Sequence, residues 1–275
     1  MFLYCFNVRL PTFILATIVL ATADFSPSFN DFLTKTYGKP FADRMARRDI
    51  GPHGSYGGGE HQAGFRTSRQ AVVLVHGITN TAGRFQATRR HLLEARLFPG
   101  SPNGWGEEEV YATTYGDGGK TPAPLFDMKC DYIRQIRWLI QAVAEFTKRR
   151  VDVIGYSMGA PVARKAILGG RCVDTGERLG PPMTGLIDTF VSVAGANRGS
   201  VLCLLPFPGA CNMVNGLSCN SAFLKNINSK QRYEGRYIYS IYSRGDDKRG
   251  GNHDQLMANT IPLQARLIDA HSQRR

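Results

Sequence analysis

Short apolar segments alternate with amphipathic or polar stretches from residue 71 onward. Five of these segments are dominated by Val, Ile and aromatic residues: 71–75, 110–115, 151–155, 187–194 and 237–243. Near-continuous apolar strands separated by helical patterns are typical of a parallel sheet that is buried on both faces. The pattern therefore predicts an α/β fold, in which helices cover both faces of a mostly parallel sheet.

Two of the intervening stretches have the periodicity of a helix. Residues 127–148 carry apolar side chains at steps of three and four positions: Ile133, Ile136, Ile140 and Val143. This predicted helix ends in Lys148, Arg149 and Arg150, whose positive charges are favourable at a helix C-terminus. We interpret these three residues as a solvated helix end rather than a ligand site. A shorter helix is predicted over residues 158–168, before two glycines.

The part of the chain before residue 70 shows no such alternation. Residues 1–23 contain one charge, an apolar run at 13–20 and small residues at 21–23, which predicts a secretory signal peptide cut before Asp24. The apolar run is about a dozen residues long, well below the roughly 20 that a membrane-spanning helix needs. Residues 24–69 are interpreted as a lead segment that ends in a Gly-rich loop, 51–59, and residues 70–275 as the catalytic domain.

Charge changes this picture little. The chain has 34 Lys and Arg against 22 Asp and Glu, a net charge of +12, and loss of residues 1–23 removes a single basic residue. The basic residues are scattered rather than gathered into a run, so we expect no nucleic-acid partner; attraction to an anionic membrane or cell surface explains the charge equally well. Nothing in the sequence indicates the oligomeric state.

The cysteines favour an oxidising compartment. Five remain after the predicted signal peptide, an odd number that cannot pair completely within one chain: Cys130, Cys172, Cys203, Cys211 and Cys219. Their spacing is not that of a structural zinc site, so no metal is expected. We therefore expect a secreted, disulfide-containing protein with one free thiol.

The segment around Ser157 carries the strongest chemical signal. Gly155-x-Ser157-x-Gly159 follows an apolar strand directly and leads directly into a helix, with Pro161 in the first helical turn. Such a turn between a strand and a helix lifts the serine hydroxyl clear of the sheet, and glycines on either side avoid steric clashes. Ser157 is therefore the predicted nucleophile.

A second motif, His76-Gly77-Ile78, ends the strand at 71–75. A loop after such a strand supplies one backbone donor of the oxyanion hole in proteins with this kind of serine turn, and the residue after the serine supplies the other. We expect the N–H groups of Ile78 and Met158 to be these donors. His76 is interpreted as a structural histidine that braces the loop.

The third motif lies after the strand at 237–243. An acidic residue that follows a strand, and a later histidine, complete the order Ser, Asp, His. His253 is the predicted general base, and Asp246 would orient its imidazole. Asp247 is the alternative acid, whereas His271 lies in a polar tail and is expected to be solvated.

Four segments in combination resemble those of the class 2 lipases, secreted α/β-hydrolases that cleave lipid carboxylic esters. The segments are VHGIT at 75–79, GYSMGAP at 155–161, the segment IYS with the acid that follows it, and NHD at 252–254. The resemblance covers about residues 72–267. It implies Ser157, Asp246 and His253 as the triad, Ile78 and Met158 as oxyanion donors, acyl-enzyme chemistry at a lipid–water interface, and no cofactor.

One apolar segment, residues 201–208, is expected on the same side of the sheet as Ser157 because it follows a strand end. We interpret it either as an acyl-binding wall or interface-seeking flap, or as a buried loop pinned by cysteines. In both cases the site is apolar, which favours a lipid ester as substrate.

The sequence departs from the family between the acid and the histidine. Only six residues separate Asp246 from His253, too few for the helix and strand that the family has there. We therefore expect that the last strand before the histidine is lacking and that residues 237–243 form an exposed sheet edge. Loss of a segment of roughly 20 to 30 residues that carried one cysteine would explain both anomalies. The competing hypothesis is accordingly a catalytically impaired hydrolase fold, weak in stability and activity, that binds lipid or a partner.

Overall fold

The computed structural model describes residues 24–95 and 104–242, and the backbone of residues 266–269. The predicted signal peptide, Asp246, Asp247, His253, His271 and the short link between the acid and the histidine all lie outside these residues. No helix in the described part of the chain combines the length and the apolar composition needed to cross a membrane.

A seven-stranded sheet and a separate two-stranded hairpin form the described β-structure. The strands are β1 (Ser55–Tyr56), β2 (Ala71–Val75), β3 (Val110–Thr113), β4 (Val151–Tyr156), β5 (Gly170–Arg171), β6 (Arg178–Gly180), β7 (Ile187–Val193), β8 (Tyr237–Tyr242) and β9 (Arg266–Asp269). The large sheet lies at the centre and has the strand order β1-β3-β2-β4-β7-β8-β9, and β5 and β6 form the hairpin. β1 runs antiparallel to β3, whereas all other neighbours in the large sheet are parallel.

Helices cover both faces of the sheet, as predicted. The described helices are α1 (Pro27–Tyr37), α2 (Lys39–Ala46), α3 (Gln86–Glu94), α4 (Cys130–Thr147), α5 (Gly159–Leu168) and α6 (Ala222–Asn228). Alternate residues of β2 enter two separate cores: Ala71, Val73 and Val75 pack with α4 and α5, while Val72 and Leu74 pack on the side of α3. The strand is buried along its whole length, which explains its uninterrupted apolar sequence. The mostly parallel α/β-hydrolase fold is therefore confirmed.

α4 is shorter than its predicted range because tertiary contacts compete for its first residues. The Met128 N–H donates to the carbonyl oxygen of Asn215 at 3.0 Å, a normal length for such a bond. The Cys130 N–H, at the start of the helix, donates to the Asp174 carboxylate at 2.9 Å. These bonds hold residues 127–129 in a non-helical conformation.

Residues 24–69 pack directly on the sheet. Phe29 of α1 is fully buried, with its ring 5.1 Å from that of Tyr111 in β3 and 4.9 Å from that of Phe146 in α4. The Gly-rich stretch, predicted as a loop, contains β1, which extends the sheet beyond β3. The lead segment thus shares one hydrophobic core with the residues that follow it.

The expectation that residues 237–243 form an exposed sheet edge is wrong. β9 lies parallel to β8, with Tyr239 opposite Arg266 and Tyr242 opposite Asp269. In the chain β9 follows His253 rather than preceding it. Residues 243–265 separate the two strands, and this connection exceeds the dozen residues that a parallel crossover needs.

Four of the five described cysteines form disulfides. Cys130 in α4 is bonded to Cys172, and Cys203 is bonded to Cys211, while Cys219 is unpaired and exposed. This agrees with the prediction of one free thiol. The one group of potential metal ligands in the described residues is Cys130, Cys172 and Asp174, and its two sulfur atoms are already joined to each other. The disulfides fit a protein from an oxidising compartment.

Candidate active site

Ser157 lies at the carboxyl end of the central strand β4, in the turn that leads into α5. Its backbone has a φ of 55°, a left-handed conformation that costs a non-glycine residue energy. The turn is fixed from two sides: the Ser157 N–H donates to the Val193 carbonyl at 2.9 Å, and the Ser157 carbonyl accepts from Ala160 and Ala196, each at 3.2 Å. Surrounding hydrogen bonds thus maintain the strained conformation expected of a nucleophile at this position.

Two glycines permit this turn because backbones approach each other closely there. A Cβ atom added at Gly159 would lie 2.2 Å from the His76 carbonyl oxygen, and one added at Gly155 would lie 2.6 Å from Ala160 Cα. Both separations are below any real contact with backbone atoms, which cannot move aside cheaply. The spacing Gly155-x-Ser157-x-Gly159 therefore follows from the packing of α5 against the ends of β2 and β4.

The loop after β2 reaches the nucleophile. A Cβ atom at Gly77 would lie 3.0 Å from the Ser157 Cβ, so these two residues are packed side by side. Ile78 and Ser157 line the same cavity, of about 570 Å³. Met158, which immediately precedes α5, has its side chain in the core and its backbone at the positive end of the helix dipole. Both predicted oxyanion donors are thus close to Ser157 in the chain or in space.

Two further residues with left-handed backbone line this cavity. Of the six described non-glycine residues with positive φ, three line the cavity: Ser157, Thr79 with a φ of 52° and Ala194 with a φ of 45°. Thr79 follows β2 and Ala194 follows β7, so the three residues extend from the carboxyl ends of three adjacent strands. In such sheets, ligands bind at this edge.

His76 is buried behind the loop and is held in a single protonation state. The Tyr115 N–H donates to His76 Nε2 at 3.1 Å, which leaves the ring proton on Nδ1, 2.8 Å from the Gly77 carbonyl oxygen that accepts it. The Tyr115 ring stacks on the imidazole at 4.0 Å. Burial lowers the pKa of His76 to about 4, so the ring is neutral at pH 7. This is the geometry of a structural histidine that braces the loop, as the sequence suggested.

The outer wall of the cavity is the apolar segment 201–208. Leu202, Cys203 and Phe207 line the cavity, and the Cys203–Cys211 disulfide closes the segment into a short loop. Leu204 and Leu205 point outward and are 85% and 78% exposed. The interpretation as a buried loop is wrong, because Cys203 is the one buried residue of the segment; the disulfide pins a wall with an exposed apolar rim.

The sequence analysis missed the opposite wall. Ala123 and Pro124 line the cavity, and the Ala210 N–H donates to the Pro124 carbonyl at 2.9 Å, which ties the two walls together. The apolar run with two prolines at 122–126 was the available signal. None of the described residues that line the cavity carries a charge and most are apolar, which suits an uncharged, apolar ligand.

We expect the backbone strain at Ser157 to be measurable with a pair of variants. Both Ser157→Ala and Ser157→Gly remove the hydroxyl, but glycine accepts a positive φ without strain. Ser157→Gly should therefore be more stable to urea unfolding than Ser157→Ala by about 1 kcal/mol.

The control pair for this measurement is Ser229→Ala and Ser229→Gly, at a residue with a φ of −72°. There the order should reverse, because glycine only adds entropy to the unfolded chain. An alanine variant at position 157 that equals or exceeds the glycine variant in stability would contradict the strained turn.

The buried His76 predicts a dependence of stability on pH. Between about pH 4 and 6.5 the unfolded chain binds a proton at His76 and the folded chain does not, so stability should rise with pH across this window, by about 3 kcal/mol in all. Asp152 acts in the opposite direction, because burial raises the pKa of its carboxyl group to about 6 and the folded chain then holds the extra proton. The effect of His76 is therefore best measured in an Asp152→Asn background.

In that background, urea unfolding between pH 4 and 6.5 should show the rise, and the further change His76→Gln should remove it. The amide at 152 keeps an acceptor for the Thr189 N–H, which bonds Asp152 at 3.0 Å. An unchanged slope after His76→Gln would show that His76 titrates normally.

Comparison with known proteins identifies the family to which the chain belongs. The family described as Lipase (class 2) matches residues 69–268. No curated protein matches the chain. Among solved structures, lipase B from Aspergillus fumigatus is 16% identical over 82% of this chain and 48% of its own, with a TM-score of 0.48. Phospholipase PlaB from Legionella pneumophila, bound to thio-NAD, is 19% identical over 65% of this chain and 38% of its own, with a TM-score of 0.44.

The mature lipase BlEst2 from Bacillus licheniformis is 13% identical over 69% of this chain and 71% of its own, with a TM-score of 0.43. The chain spans half or less of the length of the first two of these proteins. At this level of similarity the structures add no argument about chemistry. The family match covers most of the chain and includes the strand ending in His76, the turn at Ser157 and β8. The chain belongs to the class 2 lipase family.

Proposed function

We propose that this protein hydrolyses carboxylic esters of lipids through an acyl-enzyme intermediate. The observation that carries the proposal is the strained Ser157, held at the floor of an uncharged, mostly apolar cavity beside the Ile78 loop. In the first step the Ser157 oxygen attacks the ester carbonyl carbon while His253 accepts the hydroxyl proton. His253 then transfers this proton to the leaving alcohol, and a water molecule releases the acid by the reverse sequence.

Two backbone groups would stabilise the negative charge that develops on the carbonyl oxygen. The N–H of Met158, at the start of α5, and the N–H of Ile78, in the loop packed against Ser157, are the proposed donors. Fixed donors of this kind contribute most in a site that excludes water, and the apolar cavity wall supports that condition.

Asp246 and His253 complete the proposed triad, and chain length supports this role. β8 lies two strand positions from β4, or roughly 10 Å, and Asp246 follows the end of β8 by four residues, which reach about 14 Å when extended. Asp246 would orient the imidazole of His253 and stabilise its cation. The six residues between Asp246 and His253 in the chain are long enough for the two side chains to meet.

The exposed rim of the cavity supports a substrate at a lipid surface. Leu202, Leu204 and Leu205 are each at least 70% exposed, on the same short loop that lines the cavity, and Leu125 on the opposite wall is 60% exposed. A cluster of exposed large apolar side chains around a pocket is characteristic of an interaction surface. We propose that this rim contacts the lipid–water interface and that triacylglycerols or related esters enter between the two walls.

Secretion is part of the same proposal. The signal peptide predicted at residues 1–23 and the two disulfides in the folded part support an extracellular enzyme, in which residues 24–69 would form a lead segment and residues 70–275 the catalytic domain.

The triad is tested by four single variants assayed on a soluble short-chain ester. Ser157→Ala should abolish turnover with little change in unfolding temperature, and His253→Ala should do the same. Asp246→Asn should lower kcat far more than Asp247→Asn, because an amide at the true position favours the wrong imidazole tautomer; losses of the order of 10⁴-fold are typical.

The control for an assembled site is a serine-directed organophosphate probe. An assembled triad activates Ser157 and should label it, whereas a folded wild-type chain that is not labelled and turns over no ester would favour the competing function, a hydrolase fold that binds lipid without catalysis. Equal losses from the two aspartate variants would contradict the assignment of Asp246.

The rim is tested by Leu204→Ser/Leu205→Ser. This double variant should lose at least tenfold in turnover of an emulsified triacylglycerol and change less than twofold on a soluble short-chain ester, because only the first reaction requires apolar burial at an interface. Phe65→Ser, at a side chain 66% exposed outside the rim, is the control. A parallel loss on both substrates would contradict a role in interface contact.

A further inference from the structure

Five cationic residues lie together at the end of the sheet opposite the active site. In a parallel sheet all strands begin at one edge, and cationic residues precede three of them here. We define the basic end as five residues: Arg66 before β2, Lys148, Arg149 and Arg150 before β4, and Arg236 before β8. Arg149 is partly buried, and the other four are exposed. Ser157 follows the other end of β4, roughly 20 Å away along the strand.

Contacts within the fold bring these residues together. The Arg149 guanidinium donates to the carbonyl oxygens of Thr67 at 2.6 Å and Ser68 at 3.0 Å, and the Thr67 N–H donates to the Thr147 carbonyl at 3.2 Å. These three bonds fasten the segment that carries Arg66 against the end of α4. Residues 148–150 were predicted to be a solvated helix end, and the proximity of Arg66 could not be predicted because it depends on these contacts between distant parts of the chain.

A concave surface of about 510 Å³ lies between these groups, and Arg66, Lys148, Arg149 and Arg150 contribute to its lining. On the other side of Arg150, the Arg236 N–H donates to the carbonyl of Ile187, next to Asp188. The basic end therefore continues from the concave surface across the starts of β4, β7 and β8.

Most of this charge is not neutralised within the described residues. Arg66 and Lys148 have no ion pair or hydrogen bond there, and Arg149 is bonded to backbone carbonyls only. The described carboxylates nearby are Asp188, which lies 3.9 Å from Arg150, Glu145, which lines the concave surface and accepts a hydrogen bond from the Tyr37 hydroxyl at 2.6 Å, and Asp152 in β4, whose pKa burial raises to about 6. Four of the five cations thus make no ion pair within the described residues, although Glu107, Glu108 and Glu109 precede β3 at the same edge of the sheet.

We propose that the basic end binds a sulfated polysaccharide chain. Sulfate groups spaced along a polymer complement cations that are spread over a concave surface and its continuation, whereas a single small anion would contact only part of them. An anionic bilayer is disfavoured because docking at this end would direct the mouth of the cavity, at the opposite edge of the sheet, away from the lipid. The choice of a sulfated chain over a nucleic acid rests on the proposed extracellular location.

The arrangement would hold the enzyme on a matrix while its active site stays accessible to lipid. The described rim of the cavity is apolar and uncharged, whereas the exposed aromatic side chains at the basic end, Tyr37, Phe65 and Tyr237, lie next to its cations. Two surfaces of different chemistry at opposite ends of the strands can bind two partners at once.

The test measures binding to immobilised heparin at 0.15 M NaCl, with a triple variant and a control that removes the same net charge. Arg66→Ser/Lys148→Ser/Arg150→Ser leaves Arg149 in place to hold the segment, and it should weaken heparin binding at least tenfold, because each cation near a polyanion contributes severalfold to affinity. The control, Arg90→Ser/Arg178→Ser/Lys225→Ser, changes three exposed cations that make no ion pair within the described residues and should stay within threefold of the wild type.

Two further probes separate the alternatives. Vesicles of phosphatidylserine and phosphatidylcholine should bind the wild type and the basic-end variant equally, and duplex DNA should bind the wild type more weakly than heparin does. The proposal is overturned by any of four results: no retention of the wild type on heparin at 0.15 M NaCl, equal losses in the two triple variants, parallel loss of vesicle binding in the basic-end variant, or DNA binding as tight as heparin binding.

Binding is measured without substrate, so the result does not depend on the proposed hydrolysis. Turnover of a soluble ester and the unfolding temperature, compared between both variants and the wild type, report whether the fold is intact. If the serine variant unfolds early, the single charge reversal Arg66→Glu replaces it, and it should also weaken heparin binding selectively.

Discussion

The close approach of α5 to the carboxyl ends of β2 and β4 is the constraint on which the rest of the site depends. At Gly159 there is no room for even one additional carbon atom, because the carbonyl oxygens of Val75 and His76 lie 2.3 and 2.2 Å from where it would stand. This proximity forces the chain to reverse direction within a few residues, and Ser157 is the residue that takes the left-handed conformation at the reversal. The same proximity places the Ile78 loop beside Ser157. The strain at Ser157, the position of the Ile78 loop and the cavity between them are therefore consequences of one packing contact.

Buried polar groups hold the elements that make this contact. Arg164, on α5, is completely buried, and its guanidinium donates to the Glu234 carboxylate at 2.9 Å, to Asn228 at 2.8 Å and to the Ile227 carbonyl at 3.0 Å. A buried ion pair of this kind contributes little net stability, because both charges are removed from water, but it strongly penalises any arrangement in which one partner is lost. It thus fixes α5 relative to α6 and the start of β8. At the end of β2, hydrogen bonds between His76 and Tyr115 fix the loop that follows this strand.

The features that could be predicted from the sequence are those that local pattern determines. The five apolar strands, α4, α5 and the turn at Ser157 are each visible in consecutive residues, and the structure agrees with them to within a few positions. β9 could not be predicted, because Arg266–Asp269 is short and has two apolar residues between two charged ones, with neither the alternation nor the long apolar run of a strand; it is a strand through its pairing with β8. α1 and β1 were missed for a related reason: their sequence is polar or rich in glycine, and the burial of Phe29 against Tyr111 and Phe146 stabilises them. The cavity wall at Ala123 and Pro124 depends on a bond from Ala210, far along the chain, which no local pattern records.

The two halves of the proposed catalytic machinery have different structural support. Ser157 and the Ile78 loop are held by β2, β4, β7 and α5, all central elements with buried contacts on both faces. Asp246 and His253 belong instead to the connection between β8 and β9, which must also carry the chain back to the start of a parallel strand. Because the same 23 residues, 243–265, also connect two parallel strands, not all of them are available to orient the imidazole of His253. The nucleophile turn can therefore persist in a chain whose general base is poorly positioned, since the contacts that strain Ser157 do not pass through this connection. For this reason the presence of the Gly155-x-Ser157-x-Gly159 turn is strong support for the fold and weaker support for turnover, which also requires the connection to position the proposed general base.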